Sequence, residues 1–262
     1  MKDESISDVL FLSEKRRQIL LFLLEGPKTI DDIKIHLNSK SSPIMVQIRI
    51  LIRNFLIQEK NGVFFLTPLG SYTVKEMKNI LDMFLIFDAA PKYWAEADFS
   101  ALPPHLISRI GELGKTKLYY PDKAHIFDRT DVVEQNLGKS ESLIEISSIF
   151  RKEYISEFLD LAEQEVAVSF ILTQIVIDRL ANDYPEVYYK YMRYNNVRFF
   201  VCSEIKLASC TITDKFISMS FFNKSGYFFN HDLVTFDKRA KEWGSQMFHH
   251  FRSRSTIHQL QE

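Results

Sequence analysis

Residues 57–66 constrain the fold of this 262-residue chain more than any other stretch. The runs Ile57 to Lys60 and Val63 to Leu66 flank Asn61-Gly62. Both central residues accept the positive φ that a two-residue hairpin turn requires, so a tight hairpin is expected here. It closes on Leu66-Thr67-Pro68-Leu69-Gly70, where Thr67 can cap a long helix over about 68–87 with Pro68 at its first position.

Three helical patterns precede the hairpin. Ser13-Glu14-Lys15-Arg16-Arg17 opens the first, Ile19, Leu20, Phe22 and Leu23 supply its buried stripe, and Gly26-Pro27 ends it. Thr29-Ile30-Asp31-Asp32 has capping-box spacing with Asp in place of the preferred Glu, and Ile30, Ile33 and Leu37 recur at helical intervals behind it. Asn38-Ser39-Lys40 makes a turn. Ser41 and Ser42 are the candidate caps of the third helix, and Pro43 suits its first turn. On that helix Ile44, Ile48, Leu51 and Phe55 share a narrow arc and are expected to face the core. Val46, Arg49 and Arg53 fall on the opposite arc, with Gln47, Ile50 and Asn54 on its flanks.

Three helices followed by a hairpin and a capped fourth helix is the plan of a winged helix-turn-helix, which lays its third helix in the major groove. On that plan Lys40, Arg49 and Arg53 are candidates for phosphate or guanine contacts, and Ser41 and Ser42 for phosphate. Gln47 is the candidate for a base edge, Lys60 for a phosphate near the wing tip, and Val46 and Asn61 complete the set. The competing reading of any polar outward face is simple solvation.

Charge supports the first reading mildly. Residues 1–75 hold 11 Lys/Arg against 8 Asp/Glu, a net of +3, while residues 76–262 hold 22 against 26, a net of −4; the sum is the chain's −1. The apolar fraction of 46% is that of a globular protein rather than a disordered or fibrous one. Apolar runs such as Val197 to Cys202 and Met83 to Phe87 are too short to span a bilayer, so no membrane partner is expected. Met1-Lys2-Asp3-Glu4 has no apolar segment behind a basic one, so a cytoplasmic protein without a signal peptide is expected. Cys202 and Cys210 form no CxxC or Cys/His cluster; they read either as two buried thiols or as a redox pair across adjacent strands.

Beyond residue 140 the period alternates. Strands are expected over 143–149, 166–172, 197–202, 208–212 and 216–222, helices over 153–163, 175–194 and 238–252, and a turn with a short strand over 226–229. The fold class is therefore α+β. A winged helix-turn-helix (1–75) precedes a linker helix and connector (76–140) and an α/β mixed-sheet sensor domain (141–262). No phosphate-cradling glycine loop, nucleophile elbow or HExxH occurs, glycine is scarce, and no cofactor or metal is expected. In such a sheet ligands gather at the carboxyl ends of strands, which nominates Thr173, Gln174, Ser203 and Glu204, together with Asp214 and Lys215. Asp214-Lys215 reads equally as a turn with a surface ion pair.

The Leu66-Thr67-Pro68-Leu69-Gly70 close of the hairpin resembles the ArsR-like winged-helix regulators of archaea. That resemblance implies that the helix after the wing builds a homodimer, with Met77, Ile80, Leu81, Phe84 and Leu85 as the seam; packing of these residues on the C-terminal domain is the alternative. The remainder resembles the effector domain of the winged-helix methanogenesis regulators. The matching pieces are 102–113 (Leu102-Pro103-Pro104 to Leu113), 144–150, Thr211-Ile212-Thr213-Asp214-Lys215, and Glu242-Trp243-Gly244 through Phe248. The α/β part also looks like the phospholipase D-like sensor fold of sugar-responsive archaeal regulators, without the catalytic His-x-Lys. The resemblance implies a non-enzymatic regulator that binds double-stranded promoter DNA and answers to a small-molecule effector. A phosphodiester-hydrolysing enzyme and a protein-docking winged-helix subunit are the rival readings.

Overall fold

The computed structural model describes residues 5–120, 131–228 and 230–259. The chain divides into two compact units, Met1–Leu81 and Asp82–Glu262, and the boundary falls inside one long helix.

The first unit opens with α1 (Ile6–Phe11), which the sequence reading did not foresee, and α2 (Glu14–Leu24), capped by Ser13. Buried Arg16 of α2 joins them: its Nε donates to the Val9 carbonyl at 2.9 Å and its Nη2 to the Asp8 carbonyl at 3.2 Å. Val9 lies in the last turn of α1, where carbonyls lack intrahelical partners, while the Asp8 carbonyl also accepts from the Leu12 N–H at 3.1 Å. After β1 (Lys28–Thr29), α3 (Ile30–Leu37) begins with the expected capping box. The Asp32 N–H donates to Thr29 Oγ1 at 3.2 Å and the Thr29 N–H donates to Asp32 Oδ2 at 2.8 Å. That second bond, with the Thr29 hydroxyl, holds the Asp32 carboxyl below its ordinary pKa. Thr29→Ala is expected to cost about 1 kcal/mol, read as a lower urea midpoint of the first unit's transition. An unchanged midpoint would show that the cap is idle.

In α4 (Ser41–Arg53) Ile44, Ile48 and Leu51 are fully buried, as expected. Two expectations fail. Lys40, not a serine, holds the N-cap position, and no side chain caps the helix, because Ser41 and Ser42 already lie inside its first turn. Phe55 is 74% exposed rather than core. The helix stops at Arg53, and the Phe55 N–H donates to the Ile52 carbonyl at 3.0 Å while the Leu56 N–H donates to the Leu51 carbonyl at 3.0 Å. This doubly bonded helix end places Phe55 in the left-handed region (φ 57) and swings Leu56 into the core in its stead. Strands β2 (Ile57–Lys60) and β3 (Val63–Leu66) then form the hairpin, with Asn61 at φ 54 and Gly62 at φ 79 as the turn requires. β1 pairs on the far side of β3, giving the sheet order β1-β3-β2. α5 (Pro68–Ala89) follows, and the Gly70 N–H donates to Thr67 Oγ1 at 2.9 Å.

The second unit carries α6 (Pro91–Glu96), α7 (Pro104–Ile107), β4 (Thr116–Tyr119) and α8 (Asp131–Leu137). Then come β5 (Ser142–Ser147), α9 (Glu153–Glu163), β6 (Ala167–Leu172), α10 (Gln174–Asp183), α11 (Pro185–Arg193) and β7 (Val197–Val201). β8 (Ser209–Thr213), β9 (Ile217–Ser220), β10 (Asp232–Thr235), α12 (Ala240–Arg252) and β11 (Thr256–His258) close it. The eight-stranded mixed sheet runs β11-β7-β6-β5-β8-β9-β10-β4, parallel between β7, β6 and β5 and antiparallel elsewhere. One face packs on α12, where Trp243 is fully buried and its Nε1 donates to the Leu106 carbonyl at 2.9 Å. The other packs on α9, α10 and α11 through Phe158, Val176, Tyr191, Phe170 and Phe199.

Three readings change here. The helix expected over 175–194 is two helices, because Pro185 has no N–H for the bond a continuous helix needs at that point. The expected connector is not a passive spacer in its described part: Tyr93, Trp94, Leu102, Leu106, Ile110 and Leu113 share the core beneath α12. Its residues 121–130 lie outside the described residues. The short strand expected over 226–229 ends on Phe229, which also lies outside them; the described strand of that region is β10.

Within this unit Arg239 ties the end of α5 down. Its guanidinium donates to Asp237 from Nε (3.1 Å) and Nη2 (2.8 Å), and Nη1 reaches Asp82 Oδ2 at 3.3 Å. The guanidinium bonds lower the Asp237 pKa to about 2, below the ordinary 3.8. A carboxyl with a depressed folded pKa stabilises above its unfolded value, and that contribution disappears as pH falls through the folded one. Arg239→Met should therefore lower the urea midpoint at pH 6, and the deficit should shrink between pH 4 and 2. A deficit independent of pH would show that packing, not charge, explains it.

Candidate functional site

The outward face of α4 is built by the helical repeat itself. Ser42, Val46, Arg49 and Arg53 fall within about 60° of one another at ~100° per residue. All four are exposed, Val46 by 51%. Ser41 is half-buried, and so is Gln47, whose Oε1 is buried without a hydrogen-bond partner. Lys40 stands exposed before the helix, and Lys60 and Asn61 are exposed at the hairpin end. Among the described residues Lys40, Arg49, Arg53 and Lys60 have no carboxylate or other hydrogen-bonding partner. Of the unit's other cations, Arg16 is engaged on carbonyls, Arg17 with Glu14, Lys28 with Glu25 and Lys34 with Asp31, while exposed Lys15 and Lys75 have no partner among the described residues.

Of the expected dimer seam, Met77 is 1% exposed in the first unit's own core, and Leu81 packs against that core. Met77 is thereby withdrawn from any interface between copies, while Leu81 keeps part of its surface exposed. Ile80, Phe84 and Leu85 stay exposed, and Leu69 and Tyr72 are exposed on the same helix.

The expected effector residues do not form one cluster. Thr173 holds the N-cap of α10 at the carboxyl end of β6, Gln174 Nε2 donates to Asp178 at 2.7 Å, and Ser203 and Glu204 follow the carboxyl end of β7. Asp214 and Lys215 lie at the other end of the sheet. β8 runs antiparallel to β5 with Thr213 opposite Leu143, so its last residues meet the amino ends of β5, β6 and β7. There Asp214 accepts from the Glu141 N–H at 2.8 Å and pairs with Lys215 Nζ at 2.8 Å. Burial would raise the Asp214 pKa, yet the Lys215 and Glu141 bonds outweigh it and the value falls. Asp214 and Lys215 thus form a turn with an ion pair, and they also line a cavity of about 280 Å³ with Phe216, Phe236 and Asp237.

Cys202 and Cys210 are both buried free thiols, but they do not sit on adjacent strands. β6 and β5 intervene between β7 and β8, a separation of roughly 14 Å at about 4.8 Å per strand, well beyond disulfide reach. Burial pushes the Cys210 thiol pKa well up, and Glu145 adds to it. The separation removes the redox pair.

Sequence reasoning missed the cleft at the carboxyl end of β5. A groove of about 520 Å³ is lined by Phe150, Arg151, Lys152, Arg179, Tyr184, Phe228 and Asn230, among others. It shares Ile149, Phe150 and Arg151 with an inner cavity of about 60 Å³ walled by Phe158, Phe170, Leu172, Val176 and Phe199. The strand-end rule that nominated residues after β6 and β7 applies equally to β5, and would have found Arg151. Among the described residues no group of three or more His, Cys, Asp and Glu could hold a metal ion, and no helix is long and apolar enough to cross a membrane.

Residues 126–254 match the family model described as the middle domain of methanogenesis regulatory protein FilR1. The methanogenesis regulatory protein FilR1 of Methanothrix harundinacea (strain 6Ac) is 21% identical over 249 residues, 93% of this chain. The chain spans 56% of that relative's length. Among solved structures it is similar to TrmBL2, an archaeal chromatin protein described as showing a novel mode of DNA binding (TM-score 0.44, 11% identity, 98% of this chain and 99% of that one). It is also similar to the phospholipase D family member Nuc of Salmonella typhimurium (TM-score 0.39, 11% identity, 56% and 99%).

Proposed function

We propose that the chain is a DNA-binding transcription regulator: a winged helix-turn-helix that reads promoter DNA, under the control of a non-catalytic α/β effector unit. The observation that carries this is the grouping of Lys40, Arg49, Arg53 and Lys60 on one helix face and the hairpin tip beside it, all exposed and without a protein partner among the described residues. Cations left free in this way can neutralise phosphates and release counterions. Ser42, Val46 and Asn61 share that surface, Ser41 stands at the helix start, and Gln47, half-buried on its flank, would offer only its amide nitrogen to a base edge. Similarity over residues 126–254 to the middle domain of a methanogenesis regulatory protein supports the regulatory reading.

The working form is a cytoplasmic homodimer on a pseudo-palindromic site. Its seam would use the exposed α5 residues Ile80, Phe84 and Leu85. Coupling would pass along α5, the chain common to both units. The effector unit would answer to a small molecule at the carboxyl ends of β5, β6 and β7, with Thr173, Gln174, Ser203 and Glu204 near the mouth. Lack of a His-x-Lys signature argues against phosphodiester hydrolysis. An electrophoretic shift assay with the gene's own upstream region tests the reading: a complex that survives non-specific competitor is expected. Equal binding to unrelated duplex of the same length would sink it.

A further inference from the structure

We propose that the cleft after β5 is a binding site for a small organic anion, a carboxylate or a phosphate ester with an aromatic or short apolar body. The site deepens the sensing half of the reading above and rests on it only for its role, since binding itself is measured without DNA.

Arg151 is the anchor. Its Nη2 donates to Asn230 Oδ1 at 2.7 Å and its Nη1 to the Tyr154 hydroxyl. Its guanidinium carbon lies 5.0 Å from the ring centroids of both Tyr154 and Phe228. These contacts fix the fork in place, as cation–π and hydrogen-bond partners do. They occupy two of its five N–H donors and leave three without a protein acceptor among the described residues. No carboxylate pairs with it there. A fixed, half-buried guanidinium without a counter-charge among the described residues, facing a groove, is suited to bidentate capture of a carboxylate or phosphate.

The surroundings agree in sign and shape. Lys152 and Arg179 add positive charge at the groove, Arg179 in an exposed pair with Asp183 that contributes little attraction of its own. Glu153 is the one carboxylate among the groove's lining residues. Phe150 and Tyr184 stack at 5.6 Å, and Arg179 lies 4.9 Å over Phe150, which leaves flat apolar walls for a planar ligand. The groove's volume falls in the range of small-molecule pockets.

The inner cavity fixes the direction of binding. Its walls are mostly apolar, with Arg151 and Tyr154 on the side shared with the groove and Ser147, Glu145 and Tyr191 as its other polar residues; Glu145 Oε2 already accepts from Thr211 Oγ1 at 2.6 Å. Arg151 is the one cation of this lining, so the charged group stays at Arg151 and the apolar body enters between Phe158, Phe170 and Val176.

The test is calorimetric titration of the full chain, free of DNA, with benzoate, phenyl phosphate, inorganic phosphate and benzyl alcohol. Benzoate, phenyl phosphate or both are expected to bind, the neutral alcohol at least tenfold more weakly, and whichever of the two binds more tightly identifies the acid group. Arg151→Gln should weaken that probe at least tenfold. Because Arg151 also supports local packing, the exposed charge reversals Lys152→Glu and Arg179→Glu provide a second arm, each expected to weaken binding severalfold with unchanged thermal unfolding. Three results would overturn the site: no anionic probe binding at millimolar concentration, inorganic phosphate matching phenyl phosphate, or affinity indifferent to all three substitutions. None of these bears on the electrophoretic shift, so failure of the site and failure of the DNA reading are separable.

Discussion

Replacing Gly70 by alanine is expected to destabilise the first unit by more than about 3 kcal/mol, beyond the usual overpacking range. Gly70 lies in the first turn of α5, directly against the corner between α4 and β2. A Cβ built there would stand 1.8 Å from the Leu56 carbonyl oxygen and 2.7 Å from its carbon, both backbone atoms. Leu56 cannot step aside cheaply. Its N–H is bonded to the Leu51 carbonyl at 3.0 Å, its own carbonyl accepts from the Thr67 N–H at 3.0 Å, and its side chain is fully buried. The start of α5 must therefore lift off the corner, breaking the Thr67 contacts with it. Urea unfolding should show the loss. Gly138→Ala serves as control, since its nearest neighbour would be Glu134 O at 3.9 Å. A Gly70→Ala midpoint within error of the parent would refute the close approach.

Arg49→Ala combined with Arg53→Ala should weaken promoter binding at least about thirtyfold, taking a little over 1 kcal/mol per arginine as the lower estimate. If both neutralise phosphates, the slope of log affinity against log salt should become shallower by about 2. Both side chains are exposed and carry no protein partner among the described residues, so folding stability should stay within about 0.5 kcal/mol of the parent. Affinity loss without a change in slope would move the contacts from phosphates to base edges. Binding equal to the parent's would remove α4 from the interface.

The site divides along the same physical line as the fold. That Arg49 and Arg53 share one exposed helix face was legible because the face is set by the 3.6-residue repeat, which needs no knowledge of anything distant. The ligand candidates were not. Asp214 was grouped with Thr173 and Ser203 because all end strands, yet whether strand ends meet depends on strand direction. β8 enters the sheet antiparallel, and that reversal sends Asp214 to the opposite edge. Arg151 escaped notice for a related reason: its partners Asn230 and Phe228 are nearly 80 residues away in sequence, and only folding brings them to it.

Met77 and Leu81 teach a narrower lesson. Their helical spacing marked them as apolar and aligned, and alignment alone does not say against what. The first unit's core claims both, leaving Ile80, Phe84 and Leu85 outside.

What the chain's own order of residues determined is local: the capping box at Thr29, the Asn61-Gly62 turn, the buried stripe Ile44, Ile48 and Leu51, and the bounds of α9. Each is a contest settled within a few residues, by hydrogen bonds or dihedral limits that neighbours supply. Only the tertiary structure decided the sheet order, the pairing of the two- and three-residue strands β1 and β11, the separation of the cysteines and the cleft at Arg151. Those depend on contacts between distant segments, and the free energy that selects among them is the burial of two apolar sheet faces, a quantity no short window contains.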